Sequence, residues 1–358
     1  MTAEAADDAP GATSPIDCDV HIALPSTKTL FPYLAGHWQQ YIQTSAFKGV
    51  GDTSYPRGVP TSARPDSYPP GGGPPGSSLE LVRQQTLEAW GARLAVLNCD
   101  YGVQAIHNPD LAAGIAGAVN DWIIAEWLER EPRFRASLVV PRQVESAVRE
   151  IERVGSHAGF VQVFLPVLSE QPYGQRGFWP LYEAALRHDL AISIQPGASA
   201  GHPPLPTGWP SYYIEEYAGI AQVFQTQVVS LVAEGVFDRF PELRVLLVEA
   251  GFTWLPSLMW RFDKDWKSLR REIPWVRRPP SEYIREHLRF TILPWDAPPQ
   301  PGWLLEILEQ LGSEELLLFA TDYPHRHFDK PEQALPAALP AALRPKILHE
   351  NARAFYRL

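Results

Sequence analysis

GFVQVFLPVLSEQPYGQRGFWPLYEAALRHDLAISI, residues 159–194, holds one full period of the pattern on which this chain of 358 residues is built. The opening run, Gly159 to Phe164, and the closing run, Leu190 to Ile194, are short and apolar. Neither alternates with polar positions as a strand with one wet face would. Between them, Trp179 to His188 carries apolar residues at helical spacing. A strand, a helix and a second strand, with both strands buried on both faces, make a parallel βαβ unit.

The same period extends in both directions. On the N-terminal side, IDCDV leads into His21 as a first strand. Ser77-Ser78-Leu79-Glu80 then forms a capping box that opens a helix to about Gly91, before the strand Leu94 to Cys99. Asn108-Pro109-Asp110 starts a helix through Trp127, followed by a strand from Arg135 to Val140 and a helix from Val144 to Val154. On the C-terminal side, a helical stretch from Tyr213 to Phe237 precedes the strand LRVLLVE, Leu243 to Glu249. Trp254 to Arg271 is helical, Leu288 to Ile292 a strand, Trp303 to Leu311 a helix and Leu316 to Ala320 an eighth strand. Eight such units predict an α/β chain closed into a (β/α)8 TIM barrel rather than an open sheet. No G-x-G-x-x-G turn follows any strand, which excludes the usual dinucleotide site.

The rest of the chain is read around that barrel. Residues 1–15 are small, polar and acidic and are expected to be a disordered leader, with residues 16–358 forming a single domain. Residues 22–78 form a long insertion after the first strand, a loop or lid region. Its second part, Gly49 to Ser78, holds seven prolines and the Gly71-Gly72-Gly73 run, and its aromatics Tyr55 and Tyr68 suit a lid or a subunit interface. The formal charge is −10 and no long basic run occurs, which excludes nucleic acid as the main partner. Two cysteines, Cys18 and Cys99, cannot build a disulfide scaffold, and neither a signal peptide nor a membrane-spanning run is visible, so a cytoplasmic location is expected.

In such a barrel the chemistry lies at the carboxyl ends of the strands. Strand alternation would place Asp17, Asp19 and His21 on one face of the first strand, with Cys18 and Val20 on the other. Strand six ends in Glu249, and strand eight runs into Asp322, His325 and His327. Buried carboxylates must be paired or coordinated, so Asp19, His21, Glu249, Asp322 and His325 are expected to share a divalent cation. Asp17 lies one layer deeper in a supporting role. Gln195 ends strand five, and His202 follows it closely enough to reach the pocket. Arg176, Arg261 and Arg326 sit near loop ends and could grip a small carboxylate substrate. Trp209, Trp254, Trp260 and Trp266 are read mainly as packing residues.

IDCDVH at strand one, FPELRVLLVEAGFTWLP around strand six, ATDYPH at strand eight and HENARAFYRL at the end are similar to the amidohydrolase superfamily. The resemblance is to the branch of the aminocarboxymuconate semialdehyde decarboxylase type. It implies a distorted (β/α)8 barrel with one or two metals, with Asp19, His21 and Asp322 at ligand positions. Gln195 and Glu249 stand where the common pattern has histidines. Those two departures, with the stretch Trp209 to Gly219, resemble the group that contains the two-subunit non-haem iron or manganese 2-aminoisobutyrate hydroxylase. In that group a histidine commonly stands at the position of Tyr217, so the resemblance implies one divalent ion (zinc, manganese or iron) rather than two in this chain. The expectation is therefore a one-metal monooxygenase subunit, with Asp322 and Glu249 catalytic and Gln195, His202 and Tyr217 at the pocket, acting on a small amino acid or carboxylate. It would pair with a paralogous dinuclear subunit, or with a second copy of itself. A stand-alone hydrolase or decarboxylase using a metal-activated water, and a non-catalytic barrel, are the alternatives.

Overall fold

Eight parallel strands follow one another around the sheet in chain order: β1 (Ile16–His21), β2 (Leu94–Asn98), β3 (Phe134–Val139), β4 (Phe160–Pro166), β5 (Ala191–Gln195), β6 (Val245–Leu247), β7 (Leu288–Thr291) and β8 (Leu317–Leu318). The computed structural model describes residues 14–47, 49–50, 62–197, 203–328 and 333–358. Backbone hydrogen bonds from Cys18 N to Phe319 O (2.9 Å), His21 N to Tyr323 O (2.6 Å) and Asp322 N to Asp19 O (3.1 Å) join the chain beyond β8 back to β1. The barrel therefore closes where the expected ligands leave their strands.

The helices that cover the strands are α1 (Gly36–Thr44), α2 (Leu79–Val82), α3 (Pro109–Ile123), α4 (Val144–Val154), α5 (Trp179–Arg187), α6 (Tyr213–Ala233), α7 (Val236–Arg239), α8 (Leu255–Leu269), α9 (Pro280–His287), α10 (Pro301–Leu311), α11 (Leu343–Pro345) and α12 (Asn351–Tyr356). Asn108 caps α3 by accepting from the backbone of Asp110 and Leu111, and Pro109 fills the position where no N–H is needed. The expected helix to Trp127 changes winding after Ile123, because residues Ile124–Leu128 form a wider π turn. The stretch expected as one helix from Tyr213 to Phe237 breaks at Gly235, whose φ of 75° leaves the right-handed helix.

Side-chain alternation along the strands splits the apolar residues into two cores. Val20, Leu97, Val163, Ile194, Leu247 and Phe290 face the helices, while Cys18, Val96, Val161, Leu246 and Leu318 pack together with Phe355 and Tyr356 of α12. Strand β1 departs from the alternation expected of it. Its register against β2 runs from Asp17↔Ala95 to Val20↔Leu97, so β1 carries one extra residue there. This bulge lets Cys18 join the interior cluster while Asp19 also bonds within the barrel, to Asn98 of β2. The sequence reading had put those two side chains on opposite faces.

The chain after β1 is more ordered than a draped loop. Leu24, Leu30, Leu34 and Ile42 are buried in the outer core, and Trp38 of α1 lies where a Cβ on Gly114 of α3 would stand 2.9 Å from its ring. Residues 62–64 return along the loop after β8, with Arg64 N bonded to Pro324 O (2.9 Å) and Arg326 N to Ser62 O (3.1 Å). Pro15 accepts from Arg93 N at 2.8 Å, so the fold begins inside the stretch expected as leader. Residues 1–13, Tyr55 and His202 lie outside the described residues. Among the described residues, no helix is long and apolar enough to cross a membrane.

Gly76 seats this returning segment on β1. Its φ is 77°, and a Cβ there would stand 2.5 Å from the backbone oxygen of His21. Gly76→Ala is expected to cost roughly 2–3 kcal/mol, from left-handed strain plus a backbone clash that has no flexible end to yield. Thermal denaturation checks it: a midpoint lowered by several degrees is expected, against no change for Gly36→Ala, where nothing lies within 4 Å.

Candidate metal centre and active site

Four side chains from three strand ends meet at the mouth of the barrel. Asp19 and His21 come from β1, Glu249 stands two residues beyond β6, and Asp322 follows β8. Glu249 has φ 55° and Asp322 φ 53°, left-handed conformations that non-glycine residues adopt at a cost of roughly 1–3 kcal/mol. Both turns end their strands before the site, which is why β6 stops at Leu247 although the apolar run continues to Val248. Held this way, one ligand atom from each of the four residues lies within 4.8 Å of the others. His21 Nε2 is 3.3 Å from Asp19 Oδ1, 3.3 Å from Glu249 Oε1 and 3.1 Å from Asp322 Oδ1.

These atoms converge without bonding one another. His21 Nε2, Asp19 Oδ2 and Asp322 Oδ1 are buried and make no hydrogen bond of acceptable geometry. Buried polar atoms left so are rare, and His21 Nε2 and Asp322 Oδ1, 3.1 Å apart, fit a shared cation better than they fit each other. The field inside the cluster agrees. Burial works to lower the protonation of His21, yet the carboxylates of Asp19, Asp322 and Glu249 hold it well above its usual range. Burial, with Asp322 alongside, pushes Glu249 up to about 7. Burial would raise Asp322 as well, but His21 and His327 hold it well below the usual carboxylate range. Carboxylate and imidazole donors in this number suit one borderline or hard divalent ion.

The outer atoms of the ligands are fixed by further side chains. His327 Nε2 lies 2.5 Å from Asp322 Oδ2, and Asn98 Nδ2 donates to Asp19 Oδ1 at 2.7 Å. Behind Asn98 runs a buried chain through the barrel. Ser137 donates to Asn98 Oδ1 (2.5 Å), Gln162 Nε2 to Ser137 Oγ (2.8 Å) and Tyr356 OH to Gln162 Oε1 (2.8 Å). Every link donates toward Asp19, so the chain favours a charged carboxylate at its end. Asp17 is turned away from the cluster. It accepts from Thr321 N (3.0 Å) and Thr321 Oγ1 (2.6 Å), and burial pushes it up to about 7.

A cavity of about 420 Å³ opens above the cluster, lined by His21, Glu249, Asp322, His325 and His327 together with Tyr217 and Arg326. Tyr217 is part of this lining. His325 belongs to a second, overlapping group with His21 and Asp322, but its Nδ1 is bonded to the Ser62 hydroxyl. The two groups share His21 and Asp322 and so describe one centre. Gln195 is corrected: it does not line the cavity but turns into the barrel, where Nε2 meets Ser193 Oγ (3.2 Å) and Asn98 Oδ1 (3.3 Å). Of the three arginines, Arg326 alone lines the cavity. Arg176 stacks on Trp179 and Trp275, and Arg261 is exposed beside Asp265. None of Trp209, Trp254, Trp260 and Trp266 is in the lining.

Sequence reasoning missed His327 as a ligand support and the whole Asn98–Tyr356 chain. The signal was present as uncharged polar residues set into four successive, largely apolar strands, Asn98, Ser137, Gln162 and Ser193.

The amidohydrolase family model matches residues 16–358. The chain belongs to the amidohydrolase family. Within it, the chain is 28% identical to gamma-resorcylate decarboxylase of Rhizobium sp. (strain MTP-10005), over 78% of this chain and 88% of that one. It is 29% identical to gamma-resorcylate decarboxylase of Rhodococcus jostii (strain RHA1), over 78% and 86%. The crystal structure of 5-carboxyvanillate decarboxylase from Sphingomonas paucimobilis shares the fold with a TM-score of 0.69 at 22% identity, covering 97% of this amidohydrolase and all (100%) of that chain. These relatives overturn the expectation of a monooxygenase subunit, since those covering most of the chain are decarboxylases. They place this amidohydrolase close to the decarboxylase branch and leave the paralogous partner without support.

Proposed function

We propose that this amidohydrolase is a stand-alone, metal-dependent decarboxylase that removes CO2 from a ring-hydroxylated aromatic carboxylic acid without oxidation. The observation that carries the reading is the meeting of His21 Nε2 and Asp322 Oδ1, 3.1 Å apart, buried and without a hydrogen-bond partner, beside Asp19 and Glu249 at the cavity, in a chain similar to gamma-resorcylate decarboxylases. Asp19, His21, Glu249 and Asp322 would hold the ion. Manganese is the first candidate, because it is bound in the structure of the dihydroxybenzoic acid decarboxylase from Polaromonas sp. JS666, which has a TM-score of 0.68 at 22% identity. Such an ion supplies a Lewis acid that draws electron density from the oxygens of the substrate.

The residues of the chain do the rest. The pair that leaves the broken C–CO2 bond stays on the ring carbon, which needs one proton. His327 and Asp322 Oδ2, 2.5 Å apart on the cavity wall, share a proton at that place. Burial works to deprotonate His327, but its hydrogen bond to Asp322 raises it above its usual value. Transfer to carbon empties it, and solvent refills it through the cavity mouth. Arg326 offers a positive charge to the departing carboxylate.

The test is direct. Manganese-loaded protein mixed with 2,6-dihydroxybenzoate and other 2-hydroxybenzoates is expected to release one CO2 per ring consumed, with no oxygen uptake and a turnover on the order of 1–10 per second for the best substrate. A folded, loaded protein that releases no CO2 from any of them, or that consumes oxygen, overturns the reading.

A further inference from the structure

One carboxylate on the cavity wall is used neither by the cluster nor by any neighbour. Asp296 lies beyond β7 and lines the cavity, and among the described residues its side chain makes no hydrogen bond or ion pair. Its position is nevertheless fixed. Trp295 beside it donates its indole N–H to Ala334 O at 2.7 Å and rests edge-on against Phe252, with ring centroids 5.5 Å apart. The backbone turns tightly through Asp296 N to Pro294 O (3.0 Å) and Ala297 N to Trp295 O (2.6 Å). Across the gap, Gly251 has φ 63°, and a Cβ there would come within 2.1 Å of Asp296 Oδ2. A glycine two residues past Glu249 thus makes room for this carboxylate against the strand end that carries the cluster. Asp296 is exposed toward solvent on the cavity wall, and partial desolvation there raises it above its usual value.

We infer that Asp296 is a specificity residue that accepts a hydrogen bond from a donor substituent, a hydroxyl or an amine, on the ring of the substrate. A carboxylate is an acceptor only, so a donor in the cavity satisfies it and an ether of the same size does not. The cavity that Asp296 lines also reaches the proposed cation site. Asp322 Oδ1 is almost fully buried, has no hydrogen-bond partner and opens into the same cavity. A ring bound in this cavity shares it with Asp296. The inference rests on the proposed aromatic substrate for the ring, and not on the reaction.

Binding of product-like rings tests it apart from turnover. Resorcinol, 3-aminophenol and 3-methoxyphenol differ only in the group offered to Asp296. Calorimetry with the manganese-loaded protein is expected to show at least one donor ring binding about 10–100-fold tighter than 3-methoxyphenol. The tighter of resorcinol and 3-aminophenol names the donor as hydroxyl or amine. Asp296→Ala is expected to bring the three constants within about 3-fold of one another, and Asp296→Asn, which keeps an acceptor without the charge, to fall between. Equal binding of the three rings to the parent protein, an unchanged ratio in Asp296→Ala, or no measurable binding of any ring overturns the inference. A donor preference in a protein that releases no CO2 would sink the proposed reaction and keep this residue's role. CO2 release without a donor preference would do the reverse.

Discussion

Asp322→Asn is expected to lower decarboxylation by at least ~10³-fold while leaving the chain folded. The side chain has two oxygens with two duties. Oδ1 faces the proposed cation beside His21, and Oδ2 meets His327 at 2.5 Å. An amide can match only one of them. With its oxygen toward the ion, its NH2 confronts the N–H of His327; with its oxygen toward His327, its NH2 confronts the ion. Either way the proton pair is broken or the cation is weakened. The backbone is a separate matter. Asp322 sits at φ 53°, and asparagine is among the few residues that accept this region easily. The fold should therefore survive, with a thermal midpoint for cation-free protein modestly below that of the parent, since the interactions of the Asp322 carboxylate with His21 and His327 that favour its charged form are weakened. Steady-state CO2 release, metal content and thermal denaturation measured together check this. Activity within 10-fold of the parent would remove Asp322 from the proposed chemistry. His327→Gln, which leaves both Asp322 oxygens charged, is expected to cost less, about 10²-fold.

How far the sequence carried this reading depends on the range of the interactions concerned. The β4–α5–β5 unit was legible because its signal is local: continuous apolar strands around a helix that the structure places at Trp179–Arg187. The ends of β6 and β8 were not. Glu249 and Asp322 adopt left-handed backbone conformations that their residue types do not announce, and the strands stop short of the apolar runs. The β1 bulge escaped for a related reason, since an extra residue in a strand is set by its partner and not by its own composition. The ligand set was readable as residue types at strand ends. The bonds that aim it were not, because Tyr356 reaches Gln162 across 194 positions of sequence. The functional reading took Gln195 as a lost ligand and Glu249 as an added anionic one, and drew from both a monooxygenase subunit that the decarboxylase relatives overturn. Glu249 stands in the cluster itself, whereas Gln195 belongs to the buried chain beneath it.

Stripping the proposed cation is expected to abolish turnover and to lower the thermal midpoint by about 10 °C at pH 7.5. An ion present at ~1,000 times its dissociation constant stabilises the folded chain by roughly 4 kcal/mol, and each kcal/mol moves a domain of this size by about 2–4 °C. The dependence on pH has a definite sign. Without the ion, Glu249 titrates near 7 in the folded chain against an ordinary value of 4.5, so between those values the folded state binds more protons than the unfolded one. Stability of the stripped protein therefore falls as pH rises from about 4.5 to about 7. With the ion bound, Glu249 stays ionised and this loss is absent, while below that window protons compete with the metal for the same oxygens. The gap between loaded and stripped midpoints should widen from pH 5 to pH 7.5. Asp17, pushed up to about 7 but bonded to Thr321 rather than to the cluster, adds the same slope to both forms and cancels from the gap. Paired thermal scans with and without a chelator measure it. A gap that is absent at pH 7.5, or that narrows as pH rises, would mean that Asp19, His21, Glu249 and Asp322 do not share an ion.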